Sequence, residues 1–307
     1  MRFRRPSRTV LTALGASAAL LGATAAPSSA DPQPEPQAQP VYYVALGDSL
    51  ATGYQPGAGD GTTGYPDQLL PLLAQRTPGL ELVKLGCRGE TSVTFLQGGK
   101  CTYEEGSQLK QAVRFLKEHP GQVRYVTLDI GGNDINQCVK GNSIGYRCAV
   151  ENMGTATRNL WKIITEVRKA GGNTVSYTGM NYYNPILAFW LSGSSGQKIA
   201  KISAGLVRSA NGLESTLYLL AGYRVADVAG TFSSTDFKNT TTLPGAGSVP
   251  VNVARICQWT YMCDRRDIHP NAEGHRRIAL TFAATIPVPS TPPAAPPDAQ
   301  EAPVPAG

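Results

Sequence analysis

The sequence predicts an α/β fold, a three-layer α/β/α sandwich built on a five-stranded parallel sheet, and three observations carry that expectation. Short runs rich in β-branched and aromatic residues alternate with helical stretches through the middle of the chain. A hydrophobic content of 41 % over 307 residues is ample for a buried core, which argues against a disordered or fibrous chain. Both ends differ sharply in composition from the middle, so the alternation fills the whole of the expected folded region, residues 41–286.

The strands are expected at Val41 to Leu46, Leu80 to Leu85, Val123 to Ile130, Asn173 to Thr178 and Tyr223 to Val228. Between them, apolar residues recur at helical spacing near Asp67 to Gln75, Ser107 to Glu118, Asn152 to Ala170 and Gln197 to Ala221. A last helix follows Pro270, with Ile278, Phe282 and Ile286 on one stripe. Strands that alternate with helices pair in parallel through right-handed crossovers. In such sheets ligands bind at the carboxyl ends of the strands, so chemistry is to be sought just after each one.

The ends read differently. Residues 1–30 open on RFRRPSR, continue as an apolar run from Val10 to Ala26 and close on Ser28-Ser29-Ala30. Those are the three parts of a secretory signal peptide, with cleavage expected after Ala30 and an extracellular destination. Arg4-Arg5 admits a twin-arginine route, although the residues after the pair fit it poorly. Residues 31–40 hold four prolines and residues 287–307 hold eight, the composition of an extended linker and of a disordered Pro/Ala-rich tail. No stretch is long and apolar enough to suggest a membrane span.

The formal charge is +6. Four leader arginines are balanced by Asp31, Glu35, Asp298 and Glu301, so +6 is also the charge of the folded region. Its basic residues are scattered and no nucleic-acid motif appears, so that role fits poorly. Arg265, Arg266, Arg276 and Arg277 flank His269 and Arg88 adjoins Gly89, which suggests a transient attraction to anionic lipid surfaces, or simply solvated surface charge. Six cysteines in an exported segment read as three disulfides. Of fifteen formal pairings, the simplest joins sequence neighbours: Cys87–Cys101, Cys138–Cys148 and Cys257–Cys263. A metal site is weakly supported, since no cysteine pair has the two-residue gap and the chain has only three histidines.

The segments after the strands carry the chemistry. They read Leu46-Gly47-Asp48-Ser49-Leu50, then Leu85-Gly86-Cys87-Arg88-Gly89-Glu90-Thr91, then Gly131-Gly132-Asn133-Asp134, and near the end Asp267-Ile268-His269-Pro270-Asn271. Alone, each is an ordinary turn or cap. Together they supply what acyl transfer needs. Ser49 is a nucleophile that stays inert unless a base removes its proton. His269 is the natural base, because an imidazole titrates near neutrality. The backbone N–H groups of Ser49 and Gly89 and the amide of Asn133 are candidate donors to a tetrahedral oxyanion, and a glycine at position 89 lets the backbone come close. His119 reads as a surface helix end, and His275, beside Arg276 and Arg277, as solvated.

With these four blocks in order, the sequence resembles the SGNH or GDSL hydrolases, secreted bacterial lipases and esterases with a flavodoxin-like sandwich. Ser49 in GDSL, Gly89 in GCRGET, Asn133 in GGND and His269 in DIHPN match the family's four marks, and the resemblance covers residues 41–286. It implies hydrolysis of carboxylic esters through an acyl-enzyme on Ser49, with no metal or organic cofactor. One position departs: many members carry an acid three residues before the histidine, where this chain has Arg266. The third member is therefore Asp267, or a backbone carbonyl of Arg266 or Asp267, and a two-residue spacing at a turn favours the carbonyl.

The expected substrate is a small-molecule or lipid ester, and the expected state a monomer. Met180 to Leu191 is dense in aromatic and branched residues, as core or as part of an acyl pocket, and Phe232 to Val253 is a candidate second wall or lid. An esterase that removes acetyl groups from polysaccharide or cell wall is the alternative, and it predicts a small pocket. A non-catalytic surface-binding module fits less well, because all four marks are present.

Overall fold

The structure, a computed structural model, describes residues 40–287 except residue 142. The expected signal peptide, nearly all of the proline-rich linker and nearly all of the C-terminal tail lie outside the described residues. Strands β1 (Val41–Gly47), β2 (Leu80–Lys84), β3 (Val123–Asp129), β4 (Ser176–Met180) and β5 (Arg224–Ala226) form one parallel sheet in the order β2-β1-β3-β4-β5. Residues alternate between its faces at a period of two. In β1, Tyr43 and Ala45 join one buried cluster while Val44 and Leu46 join the other.

The helices are α1 (Ser49–Thr52), α2 (Tyr65–Ala74), α3 (Ser92–Gln97), α4 (Gln108–Glu118), α5 (Gly132–Asn136), α6 (Tyr146–Gly171), α7 (Gly193–Leu220), α8 (Val228–Thr231), α9 (Val251–Trp259), α10 (Met262–Arg265) and α11 (Ala272–Thr285). On one face α2, α9 and α11 bury Leu69, Leu73, Val253, Ile278 and Phe282, and the Tyr65 ring stacks on Phe282 with centroids 4.9 Å apart. On the other, Leu109, Ala112 and Leu116 of α4 meet Leu160, Ile163 and Val167 of α6. Each such fully buried side chain contributes roughly 1.5–3 kcal/mol.

Several elements differ from the sequence expectation. Helix α6 begins six residues earlier than the expected start at Asn152, on a turn that also carries Cys148. A 3-10 helix spans Pro185–Ser192, opened by Asn184, whose side chain accepts from the Ile186 N–H. Two hairpins, Val139–Lys140 with Ser143–Ile144 and Thr240–Leu243 with Gly247–Pro250, occupy stretches too short or too rich in Gly and Thr to show a period. Disulfides join Cys87 to Cys101, Cys138 to Cys148 and Cys257 to Cys263. Among the described residues no helix is long and apolar enough to cross a membrane.

Candidate active site

Ser49 is placed by the turn that joins β1 to α1. Gly47 sits at φ 141°, and a Cβ there would stand 2.2 Å from the Asp129 carbonyl oxygen, so only glycine fits. The Gln108 amide holds both sides of that peptide, accepting from Gly47 N at 2.7 Å and donating to Gly47 O at 2.9 Å. Asp48 caps α1 by accepting from Leu50 N at 3.0 Å. Ser49 follows as the first helical residue, where a backbone N–H has no partner within the helix.

His269 reaches Ser49 across 220 residues of sequence, with Nε2 2.8 Å from Oγ. Its own loop is pinned from two sides: Tyr261 N donates to His269 O at 3.0 Å, and the Tyr183 hydroxyl donates to Ile268 O at 2.7 Å. The Cys257–Cys263 bridge ties α9 to α10 just ahead of it.

Nδ1 of His269 lies 2.6 Å from Asp267 Oδ1, which also accepts from His269 N at 2.9 Å. The ring nitrogen thus faces the Asp267 carboxylate, where the two-residue spacing favoured a backbone carbonyl. Arg266 adopts a left-handed conformation, φ 54°, and this reversal folds the Asp267 carboxylate back onto the imidazole instead of away from it. A carboxylate on Nδ1 selects the tautomer with its proton there, which leaves Nε2 to accept from the Ser49 hydroxyl. Asp48 Oδ1, at 3.5 Å, is the poorer acceptor for that hydroxyl.

Asn133 stands at the start of α5, behind Gly131 at φ 118°. Its Nδ2 donates to Glu90 O at 2.9 Å, which uses one of its two N–H groups and holds the amide beside the Gly89-Glu90 turn. Gly89 has φ 76°, and Lys100 crosses so close that an added Cβ would stand 2.8 Å from its Cε. Ser49, Asn133 and His269 line one cavity of about 1130 Å³, open mouth included; Gly89 is not among its lining residues.

Asp129, Tyr65 and Tyr182, which carried no sequence signal, form a network with Asp48 beside the nucleophile. Asp129 Oδ2 accepts from Asp48 N at 3.0 Å and its Oδ1 from the Tyr65 hydroxyl at 2.6 Å, while the Tyr182 hydroxyl donates to Asp48 Oδ2 at 3.0 Å. Burial, then the neighbouring Asp48 charge, pushes the Asp129 carboxyl well above the usual carboxylate range. Tyr54 packs edge-on against His269, centroids 4.5 Å apart, and the Arg88 guanidinium lies over the Tyr54 ring, 4.9 Å from its centroid. Arg276 and Arg277 are paired with Glu273 instead of facing the cavity.

His275 is not solvated, as its arginine neighbours suggested. It is fully buried on the inner stripe of α11 and its Nδ1 accepts from Tyr65 N at 3.1 Å. The aromatic segment divides: Leu187 is core, while Tyr182, Pro185 and Ile186 line the cavity. Residues 232–253 do not line it; the opposite wall comes from α6 and α7, with Ile130, Ile135 and Val139 beside them.

Residues 45–277 match the family model described as GDSL-like Lipase/Acylhydrolase family. Among solved structures, the chain is similar to an acetyl xylan esterase, AlAXEase, at 15 % identity and a TM-score of 0.50, over 80 % of this chain and 98 % of that one. It is also similar to phospholipase A1 from Streptomyces albidoflavus at 17 % identity and a TM-score of 0.43, over 80 % of this chain and 100 % of that one. At such identities the likeness concerns the fold alone. No curated protein matches by sequence.

Proposed function

The chain belongs to the GDSL-like lipase/acylhydrolase family, and on that premise we propose that it is an exported serine esterase acting on esters with a substantial acyl chain. The observation that carries this reading is the line Asp267 Oδ1, His269 Nδ1, His269 Nε2, Ser49 Oγ, at 2.6 and 2.8 Å, opening on a largely apolar groove between α6 and α7. Three disulfides support export.

Ser49 Oγ attacks the ester carbonyl as His269 Nε2 takes its proton. The Asp267 carboxylate stabilises the resulting imidazolium and keeps the ring in plane. The tetrahedral oxyanion is met by the N–H of Ser49 and the second N–H of Asn133, which line the cavity and are each worth roughly 3–4 kcal/mol, with the Gly89 N–H as a third donor from the turn that Asn133 holds at Glu90 O. His269 then returns the proton to the leaving alcohol, and water repeats the sequence on the acyl-enzyme.

The acyl chain runs into the groove between α6 and α7, past Met153, Leu160, Val207 and Leu217. A groove lined in this stretch by apolar side chains from two facing helices suits a medium or long chain and is poorly matched to acetate. Hydrolysis of a p-nitrophenyl ester series from acetate to palmitate, by wild type and Ser49→Ala, tests both parts. The expected result is a preference for chains longer than acetate, abolished by the substitution. Undiminished turnover by Ser49→Ala sinks the nucleophile, and a preference for acetate sinks the chain.

A further inference from the structure

Where the cavity runs between α6 and α7, its wall is apolar except for Thr157, Asn211 and Glu214. Two of the three are already occupied. The Thr157 hydroxyl donates to Met153 O at 2.7 Å. The Asn211 amide accepts from Tyr182 N at 3.1 Å and donates to Tyr182 O at 2.8 Å. Glu214 differs from both. The residue is half-buried as a whole, but its Oε1 is fully buried and makes no well-formed hydrogen bond, and the same holds for Tyr218 Oη, its polar neighbour one turn further along α7.

Buried polar atoms without partners are few in folded proteins, and each one retained calls for a reason. The catalytic steps give none, since Glu214 touches neither Ser49 nor His269. Burial pushes the Glu214 carboxyl well above its ordinary value, against a smaller pull from the nearby Tyr218 hydroxyl. Burial thus favours the neutral acid, which has an O–H to give and a carbonyl oxygen to accept.

We propose that Glu214 determines acyl-chain specificity: the cavity receives a chain bearing an uncharged hydroxyl part-way along its length, and the Glu214 carboxyl is that hydroxyl's hydrogen-bond partner. The inference rests on the reading of Ser49 as nucleophile and of this cavity as the acyl site. A hydroxyl matches the carboxyl because each is at once donor and acceptor. Its place along the chain follows from the fold. The Tyr182 hydroxyl touches Asp48 beside the nucleophile, Asn211 clamps the Tyr182 backbone, and Glu214 stands three residues beyond Asn211, about 4.5 Å along the helix axis. The length of a tyrosine side chain and most of a helical turn thus separate Glu214 from the ester. That spacing puts the hydroxyl within the chain instead of next to the carbonyl.

The test compares kcat/KM for p-nitrophenyl dodecanoate with that for its monohydroxy isomers, the hydroxyl walked along the chain. Wild type, Glu214→Leu and Glu214→Gln are all measured. A site that hydrogen-bonds a substrate hydroxyl rejects the analogue lacking it, so wild type should favour one or two adjacent isomers over the plain chain by about tenfold or more. Glu214→Leu should lose that preference and gain on the plain ester, whereas Glu214→Gln, which keeps a donor and an acceptor, should retain most of it. A flat isomer profile in wild type, or the same profile in Glu214→Leu, overturns the proposal. If Glu214→Leu does not fold by circular dichroism, the wild-type and Glu214→Gln profiles still decide. Loss of the serine reading itself is separable, because it would appear as activity retained by Ser49→Ala on every ester.

Discussion

Replacing Asp267 by Asn removes the charge beside His269 and little else, because Oδ1 of an amide can still accept the two N–H groups that the carboxylate now holds at 2.6 and 2.9 Å. The magnitude follows from exposure. Unit charges about 4 Å apart near a protein surface interact by about 4 kcal/mol. The two side chains are 16 % and 27 % exposed, so solvent screening trims the loss of imidazolium stabilisation to roughly 2–3 kcal/mol. That corresponds to about a hundredfold fall in kcat. The assay is steady-state hydrolysis of p-nitrophenyl butyrate at constant pH, with KM expected to stay within about threefold because the charge acts on the transition state. Asp267→Ala should lose more, since it also frees the His269 backbone N–H. A kcat for Asp267→Asn within about threefold of wild type would refute the reasoning and return the role to a backbone carbonyl.

Burial lowers the His275 imidazole from 6.5 to about 4. The unfolded chain therefore binds a proton near pH 6.5 that the folded one refuses until about pH 4, so this part of the stability is complete above 6.5 and is lost as pH falls through that window, by about 3 kcal/mol. Urea denaturation of wild type and His275→Gln at pH 7.5, 6 and 4.5 checks it: the difference between the two should shrink with falling pH, and a constant difference contradicts it. Gly47→Ala should cost several kcal/mol and nearly all activity, because its Cβ meets the Asp129 carbonyl at 2.2 Å; a normal melting temperature contradicts the close approach. Paired Cys257→Ala and Cys263→Ala substitutions should lower activity well before far-UV ellipticity on heating, since that bridge ties the helices leading to the His269 loop; coincident loss assigns it to global stability instead.

The strands and the blocks that carry Ser49, Asn133 and His269 were legible because each has a local signature: a run of β-branched and aromatic residues in β1, the stripe of Ile278 and Phe282 on α11, and short turns after the strands or before the last helix. What stayed hidden is tertiary. The direction of the Asp267 side chain depends on the left-handed turn at Arg266, a conformation not encoded by residue type in an arginine. The burial of His275 depends on Tyr65, 210 residues away, and its arginine neighbours point the other way round the helix. The Asp48, Asp129 and Tyr182 network joins three strand ends whose adjacency only the sheet order supplies. The aromatic run after β4 contributes to the cavity, but one wall of it comes from α6 and α7, whose apolar positions read equally well as core.

The central claim is that Ser49 carries the acyl group. Treating the protein with a p-nitrophenyl phosphonate ester, which leaves a stable tetrahedral adduct on an activated serine, and locating the added mass by peptide mass spectrometry tests it most directly. The account predicts one adduct, on the peptide containing Ser49, with none formed by Ser49→Ala and slowed labelling of His269→Ala. An adduct on another residue, or equal labelling of Ser49→Ala, would contradict it.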